Sequence, residues 1–240
     1  MLSVKIPVRK VISKLTKYYL SYIPLSFLNK LTQNSILRQE FSDLKNTPVF
    51  YEREKMWDNL LEKIGEDEKI IYIEFGVWKG YSIKYFASKN KNKESLFVGL
   101  DSFKGLPEDW KEGAREGEFS LDGKVPIFED NRVSIIDGYF QDTRFRLLEK
   151  FESIKSNMND YKLIVHYDPD LYSSTLFALT LIDSFNKDYI AIFDEIYDQE
   201  CRAFFDYIQS FSPSIKFLGR VAHRDCDAVQ AACEIKVKVN

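Results

Sequence analysis

Apolar residues occur in short runs that alternate with segments of helical periodicity along most of the chain. Five runs are mostly apolar and do not alternate with polar residues: Lys69–Phe75, Leu96–Leu100, Val133–Ile136, Leu163–Tyr167 and Tyr189–Phe193. Such runs are typical of strands that are buried on both faces of a parallel sheet. Two further runs, Lys216–Val221 and Ala231–Val237, lie close together and predict an antiparallel hairpin at one edge. The pattern therefore predicts a doubly wound, Rossmann-like α/β fold with a mostly parallel seven-stranded sheet.

The N-terminal part of the chain has a different pattern, which predicts a helical extension over residues 1–48 and a main domain over residues 49–240. Apolar residues recur there at helical spacing, at Val8, Val11, Ile12, Leu15, Tyr19 and Tyr22, with basic residues mostly between them. This pattern indicates an amphipathic helix with a cationic face. We favour a lid or dimerisation helix that packs on the main domain. The alternative is peripheral attachment of residues 1–30 to an anionic membrane surface.

Length and composition narrow the class of protein. The chain has 240 residues, of which 45% are apolar and 15% aromatic, which suits one large domain and excludes a disordered chain. No apolar stretch is long enough to span a bilayer. The three cysteines form no CxxC pair, which argues against a disulfide framework or a zinc cluster. A reducing, cytoplasmic location is the expectation.

Charge is distributed unevenly along the chain. The net charge is −3, yet residues 1–39 contain seven basic residues and no acidic one. The rest of the chain is therefore acidic. This balance argues against nucleic acid as a partner.

Acidic residues or glycines follow the predicted strands, at the points where each strand ends. They are Glu74 and Gly76, Asp101, Asp137 and Gly138, Asp168 and Asp170, and Asp194 and Glu195. Ligands of doubly wound folds bind beyond the carboxyl ends of the strands, so we expect these residues to meet at one rim. Acids at that rim suit the binding of hydroxyls, of a metal ion or of a cationic ligand.

The first predicted turn, Glu74–Ser82, contains two glycines. Gly76 allows a tight turn, and Gly80 allows a ligand to approach the backbone. The spacing differs from the dinucleotide fingerprint GxGxxG and from the Walker phosphate loop. Glu74 repels a pyrophosphate and attracts a cation, while Asp101, at the end of the next strand, is placed to accept the hydroxyls of a ribose. A cationic nucleoside without pyrophosphate suggests S-adenosylmethionine.

Five blocks of the chain, in order, resemble the macrocin O-methyltransferase family. The blocks are Glu74–Ser82, Asp101–Pro107, Gly138–Thr143, His166–Thr175 and Phe193–Glu195, within a resemblance that runs from about residue 69 to 236. The members are class I S-adenosylmethionine-dependent methyltransferases, and several act on sugar hydroxyls of natural products. The resemblance does not cover the N-terminal extension.

The resemblance implies a role for each motif residue. Glu74, Gly76 and Ser82 would line the methionine end of the cofactor, Asp101 would hold the ribose with Ser102 and Phe103 near the adenosine, and Gly138, Tyr139 and Asp142 would border the adenine. Asp168, Asp194 and Glu195 would ligate Mg²⁺, and Asp170 would be the general base. Better-known members have two aspartates where this chain has Asp194 and Glu195.

Physical reasoning on the same acids leaves two interpretations open. Asp168, Asp170, Asp194 and Glu195 would repel one another unless a cation or protons intervene, and oxygen ligands favour Mg²⁺ or Ca²⁺ over zinc. Alternatively, these acids are solvated strand ends and helix caps, with Asp170 capping a helix that begins near Tyr172. A histidine on a buried strand, as at His166, is more often a core residue.

The sequence thus predicts an O-methyltransferase that uses S-adenosylmethionine and Mg²⁺ and acts on a hydroxyl of a sugar or glycosylated metabolite. One alternative is a catalytically inactive nucleoside-binding regulatory or scaffold domain. Another is an NAD-dependent oxidoreductase, which the missing GxGxxG disfavours. The expected partner is a small-molecule acceptor, and the sequence leaves open which acceptor it is and whether the chain forms a homo-oligomer.

Overall fold

The computed structural model describes residues 22–110, 113–152, 155–223 and 226–238. The strands are β1 (Val49–Phe50), β2 (Ile70–Phe75), β3 (Leu96–Asp101), β4 (Val133–Asp137), β5 (Lys162–Tyr167), β6 (Tyr189–Phe193), β7 (Ser214–His223) and β8 (Cys226–Lys236). The α-helices are α1 (Leu25–Ser35), α2 (Arg53–Ile64), α3 (Tyr81–Lys89), α4 (Phe140–Glu152), α5 (Tyr172–Asp183) and α6 (Gln199–Phe211). All seven predicted strands are present; six agree with their predicted bounds to within two residues, and β8 begins five residues earlier than predicted.

Within the described ranges, the strands form one eight-stranded sheet in the order β1-β7-β8-β6-β5-β2-β3-β4. β8 runs antiparallel to both of its neighbours, and the other pairs are parallel. This confirms the mostly parallel, Rossmann-like sheet with an antiparallel hairpin. The eighth strand, β1, was not predicted and covers the outer edge of the hairpin. It makes only two residue pairs with β7, too few to produce a pattern in the sequence.

Helices cover both faces of the sheet and create two apolar layers. Residues of α4, α5 and α6 pack on one face, and residues of α2 and α3 pack on the other. Every position of β2 is buried, including the charged residue Glu74. The absence of alternation in the sequence of β2 follows from this burial on both faces.

The N-terminal extension is described from residue 22 onward. After α1, a π-helical turn (Ile36–Glu40) and a 3₁₀ turn (Ser42–Asn46) lead to β1. Phe41 is buried between the rings of Phe204 and Phe217, so this segment joins the core of the main domain. Most of the predicted amphipathic helix, with five of the seven basic residues of the N-terminal extension, lies outside the described residues. None of the helices in the described ranges has the length and hydropathy that a bilayer span requires.

The carboxyl ends of β2, β5 and β6 meet at one edge of the sheet. Asp168 N donates a hydrogen bond of 2.9 Å to Phe75 O, and Asp194 N donates one of 2.9 Å to Tyr167 O. The strand pairing therefore continues one residue beyond the strands and places Asp168 beside Asp194. This confirms the expectation that acids from different strands gather at one rim.

Candidate active site

A cavity of about 630 Å³ opens at this edge of the sheet. Ten of the predicted site residues line it: Gly76, Ser82, Asp101, Ser102, Gly138, Tyr139, Asp168, Asp170, Asp194 and Glu195. The irregular segment after β3 contributes Trp110 and Phe119 to the wall. We call Asp168, Asp170, Asp194 and Glu195 the acidic rim.

Four predicted site residues do not line the cavity: Glu74, Gly80, Phe103 and Asp142. Phe103 is buried in the apolar layer with α2 and α3, and Asp142 is exposed on the first turn of α4. Phe140 and Gln141 line the cavity in the region where Asp142 was expected. Helical periodicity explains this placement, since neighbouring residues on a helix point in different directions.

A side chain is excluded at Gly76 and at Gly80 by different neighbouring groups. Gly76 has a φ of +89°, and a Cβ there would lie 2.0 Å from the carbonyl oxygen of Asp168. Gly80 has a φ of +76°, and a Cβ there would lie 2.7 Å from the ring of Phe128. Gly76 thus permits the close approach of β2 to β5 at the rim. The space beside Gly80 is filled by an aromatic ring, which differs from the expected approach of a ligand.

Glu74 is fully buried, and hydroxyl groups bind both of its carboxylate oxygens. Tyr72 Oη donates to Oε2 and Ser82 Oγ donates to Oε1, each at 2.7 Å. Burial raises the pKa of Glu74 to about 6, although His166 and the two hydroxyls act in the opposite direction. Glu74 therefore influences the cavity through Ser82, which lines it.

Asp101 anchors the turn that follows β2. Its Oδ2 accepts hydrogen bonds from the backbone amides of Val77 at 2.8 Å and Trp78 at 2.7 Å, and its Oδ1 accepts one from Phe103 N at 2.7 Å. A carboxylate can accept about four hydrogen bonds, so these three leave capacity for a ligand. The same side chain lines the cavity.

Left-handed backbone occurs at several residues in and near the cavity. Trp78, Phe103 and Asp170 have φ values of +46°, +53° and +61°. Left-handed backbone at residues other than glycine costs of order 1–3 kcal/mol and persists where the surroundings demand it. Trp78 and Asp170 both line the cavity, so this strain lies in its wall.

The pKa values of two neighbouring carboxyl groups in the acidic rim are shifted in opposite directions. Burial, followed by repulsion from Asp194 and Asp170, raises the pKa of Asp168 well above its usual value. Burial also opposes ionisation of Asp194, but His166, Arg53 and the hydrogen bond from Gln230 hold its pKa below the usual value. The surroundings thus favour the protonated form of Asp168 and the ionised form of Asp194.

Two residues that the sequence analysis missed help His166 to hold the pKa of Asp194 below its usual value. Gln230 Nε2 donates to Asp194 Oδ1, while Gln230 Oε1 accepts a hydrogen bond of 2.7 Å from Trp57 Nε1. Arg53 Nη1 lies 4.0 Å from the same Oδ1, and its guanidinium group packs over the rings of Trp57 and Tyr81. Gln230 is a buried polar residue in an apolar strand, which is a recognisable signal. Arg53 carries no comparable signal.

Glu200 is a further buried acid that the sequence analysis missed. Its Oε2 accepts a hydrogen bond of 3.0 Å from Glu195 N and so orders the turn between β6 and α6. Burial, followed by repulsion from Asp194 and Asp170, raises the pKa of Glu200 well above its usual value.

The predicted capping role of Asp170 is not seen, because Leu171 is the N-cap of α5 and provides no side-chain hydrogen bond.

The predicted magnesium ligands can be tested against this geometry. In the described part of the chain, no three or more His, Cys, Asp or Glu side chains are arranged to hold a metal ion. Asp168, Asp194 and Glu195 line one cavity but do not form a coordination sphere as they stand. Their chemistry fits a hard cation, because carboxylate oxygens suit Mg²⁺ and a bound cation would offset the repulsion that Asp168 experiences from Asp194 and Asp170.

Comparisons with known proteins establish the fold. No family model matches the chain, and no curated protein matches it either. Among solved structures, the chain is similar to the calicheamicin methyltransferase CalS11, with 19% identity and a TM-score of 0.53 over 93% of this chain and 89% of that one. It is also similar to an O-methyltransferase from Bacillus cereus in complex with SAH, with 13% identity and a TM-score of 0.47 over 95% and 97%.

The fold class follows from the sheet topology and the likeness to CalS11. The chain has a Rossmann-like methyltransferase fold with an N-terminal helix. At 19% identity the likeness shows the fold alone. The activity therefore has to be argued from the cavity and the residues around it.

Proposed function

We propose that this protein is an S-adenosylmethionine-dependent O-methyltransferase that acts on a hydroxyl of a sugar or glycosylated metabolite. The observation that carries the proposal is one cavity lined both by the Gly76 turn with Asp101 and by the acidic rim. The first part suits a nucleoside cofactor and the second suits proton removal from an acceptor. The fold shared with CalS11, itself a methyltransferase, supports the proposal.

The charge of the cavity favours this cofactor over a dinucleotide. Among the described residues that line it, Arg53 is the single basic side chain, against six acids: Asp101, Glu118, Asp168, Asp170, Asp194 and Glu195. A negatively charged cavity attracts a sulfonium cation and repels a pyrophosphate. The NAD-dependent alternative is correspondingly disfavoured.

The residues that line the cavity suggest how the cofactor would be placed in it. Gly76 and Ser82 would contact the methionine end, and Asp101 with Ser102 would contact the ribose. We call Gly76, Ser82, Asp101 and Ser102 the cofactor wall. Gly138 and Tyr139 would border the adenine together with Phe140 and Gln141, which also line the cavity.

Asp170 would act as the general base. It accepts the proton of the acceptor hydroxyl while the hydroxyl oxygen attacks the methyl carbon and the carbon–sulfur bond breaks. The products are a methyl ether and S-adenosylhomocysteine, and the proton leaves Asp170 to solvent. Holding both reactants in one cavity provides much of the acceleration. Mg²⁺ held by Asp168, Asp194 and Glu195 would add Lewis-acid polarisation of the acceptor hydroxyl.

Exposed aromatic rings in the cavity support a carbohydrate acceptor. Trp78 is 43% exposed, Tyr81 51% and Phe119 40%, and all three line the cavity. Aromatic faces suit the apolar faces of a sugar ring, as amphipathic rings do at other interfaces. These rings provide a surface on which the acceptor can be oriented.

Radiolabelled S-adenosylmethionine, offered with a panel of free sugars, nucleotide sugars and glycosides, tests the activity. We expect methyl transfer to at least one acceptor and a loss of about 100-fold or more in Asp170→Asn, with unchanged affinity for S-adenosylhomocysteine. Asp122→Asn is the matched control, because Asp122 also has a left-handed backbone, with φ +54°, and is exposed away from the acidic rim. Cofactor binding without transfer to any acceptor would favour the inactive scaffold.

A further inference from the structure

Four polar side chains form a continuous buried row between the cofactor wall and the acidic rim. Ser82 Oγ donates to Glu74 Oε1, Tyr72 Oη donates to Glu74 Oε2, and His166 Nδ1 lies 2.8 Å from Tyr72 Oη. His166 Nε2 lies 3.7 Å from Asp194 Oδ1. We call Ser82, Glu74, Tyr72 and His166 the polar row; its first residue lines the cavity, and its last residue faces the rim.

Strand geometry brings the polar row together. Tyr72 and Glu74 are two residues apart on β2 and therefore lie on the same face of the sheet. His166 is the register partner of Glu74 on the neighbouring strand β5. The rings of Trp57 and Phe86 pack around His166, with centroid distances of 5.6 Å and 6.4 Å. The polar row is thus enclosed by apolar groups, and its members bind one another.

The donors and acceptors of the row fix the orientation of the imidazole. Because the Tyr72 hydroxyl donates its hydrogen to Glu74, its oxygen is available to accept one from His166 Nδ1. The other ring nitrogen, Nε2, lies 3.7 Å from Asp194 Oδ1. It is buried and has no hydrogen-bond partner within the described residues.

A packing role alone does not account for this arrangement. Buried polar groups are costly unless they are hydrogen-bonded, and apolar residues of similar size would fill the same space without that cost. The row also begins at Ser82, which lines the cavity. Both observations indicate a function in holding the Ser82 hydroxyl in place.

We propose that His166 is a positioning residue for the cofactor wall. Through Tyr72 it holds Glu74, which in turn orients the Ser82 hydroxyl. This inference rests on the proposed function, since it assumes that the cofactor binds at the cofactor wall.

Two substitutions test the two ring nitrogens of His166 separately. His166→Asn places an amide nitrogen near the position of Nδ1, and His166→Gln places one near Nε2. We expect His166→Asn to keep the affinity for S-adenosylhomocysteine within about twofold. His166→Gln, which loses the contact with Tyr72, should weaken it about tenfold, the effect of one buried hydrogen bond in a charged network. Equal affinities in the two folded variants would overturn the proposal.

NMR of isotope-labelled histidine gives a second readout that a merely structural role would not change. The chain has two histidines, and exposed His223 provides the internal control. At fixed pH, we expect His166 Nδ1 to carry the hydrogen. Adding S-adenosylhomocysteine should shift the ring signals of His166 and leave those of His223 in place. In Tyr72→Phe, which keeps the ring but removes the hydroxyl, the ligand-induced shift should disappear.

The outcomes are distinguishable from those of the proposed function. If the wild-type chain does not bind S-adenosylhomocysteine, the proposed function fails and this inference fails with it. If the wild type binds and His166 does not respond, or if the response persists undiminished in Tyr72→Phe, the cofactor assignment stands and the role of His166 is refuted. The Tyr72→Phe measurement also decides the question if the His166 variants do not fold.

Discussion

The carboxylate of Asp101 accepts a hydrogen bond of 2.7 Å from the backbone amide of Trp78. Through this bond and its partner bond from Val77, the end of β3 holds the turn that follows β2. An acid expected to bind a ribose therefore also shapes the wall to which the ribose would bind. Cofactor affinity and local stability are consequently linked at this residue.

Asp101→Asn should weaken both properties. The amide nitrogen of asparagine cannot accept hydrogen bonds from Val77 N and Trp78 N, so we expect a loss of about 1–3 kcal/mol in the free energy of unfolding. The dissociation constant of S-adenosylhomocysteine should rise about tenfold or more, as measured by calorimetry. Asp137→Asn is the control, because Asp137 is the register partner of Asp101 on β4 and is exposed. Unchanged affinity in Asp101→Asn would refute the ribose assignment.

Gly76→Ala should be more destabilising than an alanine at another glycine with similar backbone. A left-handed φ costs alanine about 1–2 kcal/mol at either site. At Gly76 the new Cβ also meets the carbonyl oxygen of Asp168, whereas Gly117, with φ +82°, has no atom within 4 Å of its Cβ position. Denaturant unfolding of Gly76→Ala and Gly117→Ala isolates the steric effect, which we expect to add about 1–3 kcal/mol. Equal losses of stability in the two variants would show that β2 and β5 are not closely packed at Gly76.

Much of the sheet was predictable from the sequence, because strands buried on both faces have continuous apolar runs. β2 and β6 are examples, and the acids that follow β5 and β6 lie side by side because parallel strands end at one edge. The two-residue β1 was not predictable, since its pairing with β7 depends on tertiary packing. The same reason applies to Arg53, which reaches Asp194 from a helix with no motif of its own.

The polar partners of the acidic rim show a second limit of prediction from the sequence. Gln230 and Asp194 are far apart in sequence, and only the antiparallel register of β8 brings their strands together. Tyr72 was accessible in principle, because it lies two residues before Glu74 on the same face of β2. The metal ligands were predicted as a set, yet the described residues do not gather into one.

Glu74→Gln should change how stability depends on pH. Since the pKa of Glu74 is raised from 4.5 to about 6, its contribution to stability is fully present below pH 4.5 and is lost as the pH rises through 6. The loss amounts to about 2 kcal/mol. Glu74→Gln should lack this loss, which denaturant unfolding between pH 4.5 and 7 would reveal as a flatter curve. Parallel curves for the two proteins would contradict the buried, hydrogen-bonded state of Glu74.

Substitutions of Glu200 and Asp194 should have opposite effects on stability at pH 7. The raised pKa of Glu200 means that ionisation opposes folding as the pH rises, so Glu200→Gln should raise the melting temperature. The lowered pKa of Asp194 means that ionisation favours folding above its unfolded pKa, and this gain is lost as the pH falls. Asp194→Asn should therefore lower the melting temperature at pH 7. Shifts of the same sign would contradict the opposite environments of these two acids.

Calorimetric titration with S-adenosylhomocysteine, in EDTA and again in millimolar Mg²⁺, tests the central claim most directly. NAD serves as the control ligand, because its pyrophosphate should be repelled by the acidic cavity. We predict binding of S-adenosylhomocysteine without binding of NAD, and a separate heat from Mg²⁺ that is reduced in Asp168→Asn. The absence of S-adenosylhomocysteine binding under both conditions, or equal binding of NAD, would contradict the assignment of this cavity to S-adenosylmethionine.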